Sequence, residues 1–455
     1  MIYFLILFFC CVFIVAYILS NGDFFAPPIL VTTGFLASGI FALMLGDLWN
    51  RSLQQYTICV YVCGISSFLV GYYLVFGIHR HYTATKSLDY VYISNRHLYL
   101  YIIISVLIAA LYWMVIIKNF GLDDGWTGMM SRFRMATVYA ESYGIESFKM
   151  PKAISTGRLI IQSGGYVLVY VLANNKVIAP KSQKKTLVVA ILVSLLITFI
   201  TAQRLDLIRV PIAFMAIYFI LKKRNGLLVQ KKQLALYAKY GIVVILILGA
   251  FAGLKSVFGR TASGISAIKY IAKYIGGPIP LFDDYLRYPA KHTRLWGEET
   301  FWGIYDFLFK LTKKQEYSYD YTLEFRTING VKMGNVYSAF RMYYADFNIQ
   351  GVIILSLVLG SVFGIMYSLI VKKKNCESLI IRFGIFKYHS KVEFMLIIYS
   401  VCIHACLMLF YQDWFYAHLL TWYQIKSFIY MWIFKFIVID MNKKNRMKGI
   451  KVNRE

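Results

Sequence analysis

The sequence predicts an all-α integral membrane protein, a polytopic helical bundle of about eleven transmembrane helices. Its 455 residues are 59% hydrophobic and 17% aromatic, and the mean hydropathy of +0.59 is typical of membrane proteins. Apolar stretches suited to a hydrocarbon core of about 30 Å recur along the chain. These stretches are Ile2–Leu19, Ala26–Leu45, Tyr56–Phe76, Leu98–Ile117, Arg158–Leu172, Thr186–Ala202, Leu207–Leu221, Leu236–Leu254, Gly351–Val371, Val392–Tyr411 and Leu419–Val438.

The first stretch is preceded by no basic residue, so we expect a retained membrane helix and not a cleaved signal peptide. The fifth and seventh stretches are short, so the helices there are expected to tilt little or to be broken. We find no internal repeat and no soluble domain. Residues 1–455 are therefore predicted to form a single membrane domain.

The basic composition follows the membrane topology. The chain carries 49 Lys and Arg against 22 Asp and Glu, a net charge of +27. Alternate loops, together with Lys435, hold 26 of these cations and six of the acidic residues, so one face carries +20 and the other +7. The positive-inside rule then places the basic tail 440–455 in the cytoplasm and the N-terminus outside. No nucleic-acid partner is needed to explain the basicity.

Two polar segments are expected on the outer face. Residues 255–350 form a large extracytoplasmic loop between the eighth and ninth stretches, and 118–157 form a second outer loop. Within the second loop, Met129–Ser142 is predicted to be an amphipathic helix. Because one large polar structure in a polytopic protein usually carries its function, the large loop is where we expect chemistry.

The large loop is predicted to be partly helical. One helix is expected over Ser266–Ile275, which ends at a Gly-Gly-Pro stop, and a second over Glu298–Leu311, whose acidic start suits a helix N-terminus. A polar excursion over Lys313–Lys332 then precedes Asn335–Phe347, which returns the chain to the membrane.

Aromatic residues recur every few positions in this loop. Rings beside carboxylates and guanidinium groups suit carbohydrate, because the C–H faces of sugars stack on rings while their hydroxyls form charged hydrogen bonds. The same composition also suits an amphipathic lid on lipid headgroups, and the sequence leaves both interpretations open. The candidate glycan-binding rings are Tyr274, Tyr285, Trp296 and Trp302.

The sharpest local signal is the very short connection Thr201–Arg209 between the sixth and seventh stretches. It places Arg204, Asp206 and Arg209 near the outer boundary of the membrane, where charged groups usually face a wet cavity or a partner. The forked guanidinium suits the oxygens of a diphosphate, although snorkelling to headgroups with an Arg–Asp206 pair is the alternative. Other outer cations that would join them are Arg132, Arg134, Arg158, Arg260 and Arg341.

Several carboxylates are candidate general bases. A base must lie within hydrogen-bond reach of the hydroxyl that it deprotonates, and the sequence does not select one residue. The candidates on the outer face are Asp283, Asp284, Glu298, Glu299 and Asp346.

Other sites of chemistry are less favoured. The pairs Cys59/Cys63 and Cys402/Cys406 have i,i+4 spacing, which suits packing in a helical core better than a metal site. Walker A, GxGxxG, HExxH, CxxC and GxSxG patterns do not occur in the sequence, which argues against a nucleotide-driven pump or a soluble-type hydrolase.

The order of motifs between the sixth and ninth stretches resembles a known family. These motifs are Gln203-Arg204, Tyr274–Pro278, Gly297–Phe301, Asn335–Phe340 and Tyr344–Gly351. They resemble the O-antigen polymerase family, the Wzy-type oligosaccharide repeat-unit polymerases of bacterial envelopes. The remainder of the chain is similar in hydropathy pattern. One departure is that Gln203 and Asp206 flank the arginine where a small or glycine-rich step is expected.

The resemblance implies a GT-C-like glycosyltransferase in the bacterial cytoplasmic (inner) membrane that needs no cofactor, metal or nucleotide sugar. A growing glycan would be transferred from undecaprenyl diphosphate to the non-reducing-end hydroxyl of another lipid-linked repeat unit. The product would be O-antigen, capsule or a related glycan, and partners would include a flippase and a chain-length regulator. A lipid-linked oligosaccharide flippase or an O-antigen-ligase-type transferase remains the alternative.

The hypothesis of a membrane glycosyltransferase leads us to expect roles for particular residues. The diphosphate would be bound by Arg204, Arg209, Arg260 and Arg341. Catalytic carboxylates would be drawn from Glu299, Asp346 and Asp284. The Asn335–Phe340 motif adds Asn335 and Tyr337 to the expected glycan contacts.

Overall fold

The computed structural model of the protein describes residues 1–78, 90–138, 140, 144–179, 185–200, 206–227, 267–290, 294–318, 322–372, 379–383, 386–390 and 392–440. In these ranges helices dominate, and two short antiparallel hairpins are the only strands. Five described helices are long and apolar enough to cross a membrane, so the predicted class of an α-helical membrane protein is confirmed. The number of eleven spans stays a prediction. The expected eighth span, Leu236–Leu254, lies outside the described residues.

The helices are numbered in chain order. They are α1 (Ile2–Leu19), α2 (Pro27–Met44), α3 (Gly46–Trp49), α4 (Gln55–Ile78), α5 (Asn95–Phe120), α6 (Gly125–Val138), α7 (Lys152–Ile178), α8 (Lys185–Ile200), α9 (Asp206–Arg224), α10 (Ala267–Gly276), α11 (Pro278–Arg287), α12 (Trp302–Thr312), α13 (Ala339–Lys372), α14 (Val392–Cys402), α15 (His404–Leu407), α16 (Tyr416–Leu419) and α17 (Trp422–Lys435). The strands are β1 (Arg326–Ile328), paired with β2 (Val331–Gly334), and β3 (Leu379–Phe383), paired with β4 (Phe386–Ser390).

The chain divides into two compact units. Unit 1 comprises Met1–Thr83, Gly264–Lys373 and Cys402–Ile425, and unit 2 comprises Ala84–Ser263, Lys374–Val401 and Lys426–Glu455. Unit 1 therefore holds the described part of the segment 255–350, whereas unit 2 holds the segment 118–157 and Arg209. The single membrane domain over 1–455 stays a prediction.

Several predicted elements are found with shifted ends. The fifth stretch is one unbroken helix of 27 residues, because α7 extends past its apolar core at both ends. The amphipathic helix expected over Met129–Ser142 is α6, which begins at Gly125. The tenth stretch is interrupted, since α14 ends at Cys402 and the single turn α15 follows it.

Within the large loop, the expected helix over Ser266–Ile275 corresponds to α10. The expectation that a helix begins at Glu298 is wrong, since α12 begins only at Trp302 and a turn occupies the preceding residues. Residues 278–287 form the helix α11, which was not predicted, and its first residue is a proline, as suits the first helical turn. The polar excursion contains the β1–β2 hairpin.

The core of unit 1 is the parallel pair α4 and α13. A Cβ atom on Gly71 would lie 2.1 Å from the carbonyl oxygen of Leu357, and one on Gly360 would lie 2.1 Å from that of Phe68. Ser361 Oγ also donates to the Gly71 carbonyl at 3.3 Å. Small residues that let backbones approach are a common way for membrane helices to associate. Because the pair is parallel, the connection before α4 and the large loop before α13 lie at the same end of this unit.

The helix α2 holds the start of the described loop against this pair. Ser38 Oγ of α2 donates to the carbonyl of Ile275 at 2.7 Å, at the end of α10. At the opposite end of unit 1, Tyr73 of α4 bonds to Ser20 at 3.0 Å, and the Tyr367 hydroxyl of α13 donates to Asp23. Unit 1 is thus fixed by polar contacts at both ends of its helices.

Unit 2 is organised around α5, α7, α8 and α9. Asn175 of α7 exchanges two hydrogen bonds with the backbone of Val91, at 2.8 and 2.9 Å. The buried Lys435 bonds to Asp440 at 3.0 Å and lies 3.5 Å from Glu393. In the segment 118–157, the apolar face of α6 packs against α5, and Arg132 donates to the carbonyl of Phe120 at 2.8 Å.

Candidate functional site

Asp283 attaches the loop helix α11 to the start of α4. Its Oδ1 atom accepts from the Thr57 hydroxyl at 2.6 Å and from the Gln54 backbone N–H at 2.8 Å. Its Oδ2 atom accepts from Arg287 Nε at 2.9 Å, one turn further along α11. The carboxylate is buried, and both of its oxygens accept hydrogen bonds from these donors. Asp283 therefore attaches the loop helix α11 to the membrane helix α4.

The neighbouring Asp284 lies between two guanidinium groups. Arg51 Nη1 is 2.8 Å from one carboxylate oxygen, and Arg326 Nη1 is 2.9 Å from the other. Arg326 also contacts Glu324 at 3.2 Å and donates to the carbonyl of Tyr288 at 2.7 Å. Burial alone would lower the pKa of Arg326, but hydrogen bonding to Asp284 and the nearby Glu324 hold that pKa above its ordinary value.

Arg341 is the largest fully buried side chain among the described residues. Its guanidinium pairs with Glu299, which is equally buried, and donates to Glu324 at 2.8 Å. The guanidinium carbon lies 4.4 Å from the ring centroid of Tyr285 and 5.5 Å from that of Tyr337, within cation–π range. Burial raises the pKa of the Tyr285 phenol, and Arg341 opposes that rise.

These contacts form one continuous arrangement of alternating charge, which we call the charge network. Its members, in order of contact, are Arg51, Asp284, Arg326, Glu324, Arg341 and Glu299. It joins the connection before α4, the helix α11, the hairpin, the start of α13 and the turn at 297–301. Each charged group in the network lies beside a group of opposite charge. The attraction between them offsets the free-energy cost of removing these groups from water.

Two further carboxylates organise the turn before α12. Glu298 accepts from the backbone N–H groups of Arg294 and Leu295, at 2.8 and 3.0 Å. Asp346 of α13 accepts from the backbone N–H groups of Glu299 and Thr300, at 3.4 and 2.7 Å. These bonds hold the turn and explain why α12 begins at Trp302. They also bring into direct contact two sequence motifs whose bonded residues are 46 and 47 positions apart.

An aromatic shelf lies beside this turn, and we define it as Trp296 with its two backing rings, Phe301 and Phe347. The ring centroid of Trp296 is 5.8 Å from that of Phe301, with an interplanar angle of 17°, and 4.9 Å from that of Phe347. The Tyr305 hydroxyl donates to the Trp296 carbonyl at 2.6 Å. At Gly297, where φ is +69°, a Cβ atom would lie 2.7 Å from Phe301 Cδ2, so the shelf requires glycine there.

The helix α13 is broken directly after Asp346. Phe347 has φ −138° and ψ 16°, and Asn348 has φ 54° and ψ −153°, a region essentially reserved for glycine. The neighbours fix this break, because Asp346 is bonded to the turn and the Phe347 ring packs under Trp296. Asn348 is exposed and directly follows Phe347, a backing ring of the shelf, in the chain.

The other predicted glycan contacts lie apart from the shelf or are buried. Tyr274 stacks on Tyr411 with centroids 6.4 Å apart, and Trp302 meets His418 edge-on at 6.2 Å. Tyr337 is buried and donates to the Glu324 carbonyl at 2.9 Å, while Asn335 lies partly buried between β2 and α13. Tyr285 is buried beside Arg341.

The predicted diphosphate ligands are distributed over both units. Arg341 is in unit 1, inside the charge network, and Arg209 is in unit 2, in the first turn of α9. Arg204 and Arg260 lie outside the described residues. The structure therefore brings together all three carboxylate candidates, Arg341 and the shelf, and their roles in binding or catalysis stay predictions.

Sequence reasoning missed Arg51, Glu324 and Arg326, although each belongs to the charge network. The available signal was weak. Glu324 and Arg326 alternate in sign at the start of a short strand, inside a segment that reads only as a polar excursion. Across the described parts of the chain, no group of three His, Cys, Asp or Glu side chains has the arrangement of a metal site.

No match emerges when the chain is compared with models of known protein families, with curated proteins or with solved structures. The fold and the site nevertheless define a class. The protein is an α-helical membrane protein whose unit 1 carries a folded, charge-rich segment joined to its apolar helices.

Proposed function

We propose that the protein is a membrane glycosyltransferase of the outer face of the bacterial cytoplasmic membrane. It polymerises polyprenyl-diphosphate-linked oligosaccharide repeat units into a surface polysaccharide. The observation that carries this proposal is the contact between the motifs Gly297–Phe301 and Tyr344–Gly351, made through the Asp346 carboxylate. Both motifs contribute to the resemblance to O-antigen polymerases, and their contact supports a shared site.

The charge network supports a specific choice of base. Glu299 is committed to Arg341, and Asp284 lies between Arg51 and Arg326. Asp346 instead accepts backbone N–H groups, which leaves each of its oxygens a second lone-pair direction. Asp346 is therefore the base in this proposal, and the other two carboxylates are positioning residues.

The reaction is a substitution at the anomeric carbon of the donor glycan. The acceptor hydroxyl oxygen forms the new glycosidic bond, and its proton passes to Asp346. The anomeric C–O bond to the diphosphate breaks, and its electron pair leaves with polyprenyl diphosphate. Guanidinium groups are expected to stabilise the charge that develops on the leaving diphosphate, the role predicted from the sequence for Arg204, Arg209 and Arg260. Arg341 holds Glu299 and the loop in place.

Product analysis of the purified full chain tests the proposal. In lipid nanodiscs supplied only with lipid-linked repeat units, the protein is expected to yield a ladder of products of increasing length. A flippase would yield no longer product, and a ligase would yield none until a second acceptor is added. Either of these outcomes would overturn the polymerase assignment.

Arg204→Ala is expected to abolish chain extension while single repeat units still accumulate on the lipid, because the leaving diphosphate loses a guanidinium partner. The measurement is the length distribution of the polysaccharide in cells, at equal protein level. Arg224→Ala, in the last turn of α9, is the matched control and should leave polymer length unchanged. Normal polymer from Arg204→Ala would refute its role at the diphosphate.

Asp346→Asn is expected to lower kcat by about 100-fold or more, the usual contribution of a general base. The amount of folded protein should not change, because the amide oxygen of the asparagine can still accept the Thr300 N–H. Initial rates of chain extension measure the effect. Asp306→Asn, at a partly exposed carboxylate paired with Lys310, is the control and should leave kcat unchanged. A kcat within about threefold of wild type would exclude Asp346 as the base.

A further inference from the structure

Trp296 is exposed in a way that packing does not explain. Its exposed fraction of 74% is the highest of any large hydrophobic side chain among the described residues. The indole packs against the rings of Phe301 and Phe347, and the Tyr305 hydroxyl donates to the backbone carbonyl of Trp296. A rigid ring with a free face is suited to stacking on a flat ligand surface.

The groups beside the indole are polar. Asn348 is exposed and directly follows the backing residue Phe347 in the chain, and its backbone has the strained conformation described above. Asp346, which directly precedes Phe347, is partly exposed, and its carboxylate accepts from the backbone of Glu299 and Thr300 in the turn that follows Trp296. An exposed amide and a carboxylate on the two residues that flank the backing ring favour a ligand that has both an apolar face and hydroxyl groups.

We propose that Trp296, Asn348 and Asp346 form the acceptor-sugar subsite, which binds the terminal pyranose ring of the acceptor repeat unit. The C–H face of the sugar stacks on the indole, and the Asn348 amide bonds to one hydroxyl. The attacking hydroxyl lies against Asp346. This assignment rests on the proposed function, because it identifies the occupant from the base that the acceptor must reach.

The subsite is assigned to the acceptor because it adjoins the proposed base. The Phe347 ring packs against the indole, and Asp346 bonds to the turn that follows Trp296, so a sugar stacked on Trp296 is placed beside that carboxylate in this proposal. Burial of the same indole in lipid would place the Asp346 and Asn348 side chains in an apolar medium, at the cost of their hydration. Sugar is therefore the favoured occupant.

The test separates acceptor from donor. A repeat-unit oligosaccharide carried on a simple alkyl glycoside lacks a diphosphate, so it serves only as an acceptor for the full chain in nanodiscs. Trp296→Ala is expected to raise the KM for this acceptor about tenfold, which corresponds to about 1.4 kcal/mol. The kcat should stay within about threefold and the KM for the lipid-linked donor should not change, while Trp296→Phe should retain most of the affinity.

Asn348→Gly provides the second variant. Glycine adopts the observed backbone conformation without strain, so the thermal midpoint should hold or rise. The KM for the alkyl glycoside should increase, because the amide is lost. Trp432→Ala, which removes an exposed indole from α17, is the matched control and should change neither KM.

The outcomes distinguish the two proposals. A wild-type product ladder with unchanged acceptor KM in both Trp296→Ala and Asn348→Gly would overturn the subsite and leave the polymerase standing. Loss of membrane-inserted protein in Trp296→Ala, with normal acceptor KM in Trp296→Phe and Asn348→Gly, would identify a lipid anchor instead. If the wild type forms no ladder, the proposed function fails. Saturation-transfer NMR of the alkyl glycoside then decides whether Trp296 binds sugar.

Discussion

Arg341→Ala is expected to leave almost no folded protein in the membrane. The substitution strands Glu299 as a buried carboxylate without its guanidinium partner and also removes the bond to Glu324. Breaking a buried ion pair from one side typically costs about 3–5 kcal/mol. The contacts with the rings of Tyr285 and Tyr337 are lost as well. Against a typical total stability of about 5–15 kcal/mol, this is a large fraction.

The measurement is the yield of monodisperse protein after mild detergent extraction, together with the thermal midpoint. The double variant Arg341→Met/Glu299→Gln removes both charges, so it is expected to be less destabilised than the sum of the two single changes. Lys310→Ala removes a charge from the exposed pair with Asp306 and should change stability by about 0.5 kcal/mol or less.

The same experiment distinguishes a structural role of Arg341 from a role as a ligand of the diphosphate. If Arg341→Ala gives a normal yield and midpoint but no chain extension, the charge network does not hold the loop and the predicted diphosphate role is favoured. If both folding and activity are lost while the double variant folds, the contribution of Arg341 is to hold the Glu299 turn.

The membrane helices were the most predictable part of the fold. Long apolar runs have few alternatives, so α1, α2 and α4 are found within a few residues of their expected ends. The helix α11 was missed because two prolines and two aspartates in ten residues read as loop. It is stabilised by a tertiary contact, since Asp283 bonds to residues at the start of α4, which local sequence does not reveal.

The chemical groups of the site were predictable, but their pairing was not. Asp284 and Arg341 were predicted to be charged groups of the candidate site, yet their partners Arg51 and Glu324 come from other elements. Ion pairing of this kind is set by the tertiary fold. The break at Asn348 was also missed, because the sequence there continues into an apolar run and only the bonds of its neighbours produce the strain.

Gly71→Val is expected to separate α4 from α13 and to remove most of the folded protein. A Cβ atom at this position would lie 2.1 Å from a backbone carbonyl oxygen, that of Leu357, so relief requires one helix to move. Overpacking typically costs about 1–3 kcal/mol and more where backbone must shift. Gly360→Val should act similarly, since its Cβ would meet the carbonyl of Phe68 at 2.1 Å.

The chain provides a control on the same helix. Among the described residues outside the surrounding backbone of α4, no atom lies within 4 Å of a Cβ added at Gly77, so Gly77→Ala should be neutral or stabilising by up to about 1 kcal/mol through helix propensity. The three variants are compared by the yield of monodisperse protein and by the thermal midpoint of unfolding. The double change Gly71→Val/Gly360→Val should cost less than the sum of the two, because both enter the same interface.

The smallest substitution at this interface connects packing to chemistry. Gly71→Ala adds the Cβ atom that meets the Leu357 carbonyl but not the two methyl groups of valine, so the helices move apart less and part of the protein still folds. The helix α13 carries Arg341 and Asp346 at the end that begins the crossing with α4, so displacement of that helix moves both side chains relative to the turn at 297–301. Gly71→Ala is therefore expected to lower kcat more than its loss of stability explains, whereas Gly77→Ala leaves kcat unchanged. Suppose that Gly71→Ala lowers the thermal midpoint but has the same kcat as Gly77→Ala. That result would show that the site does not depend on this helix pair.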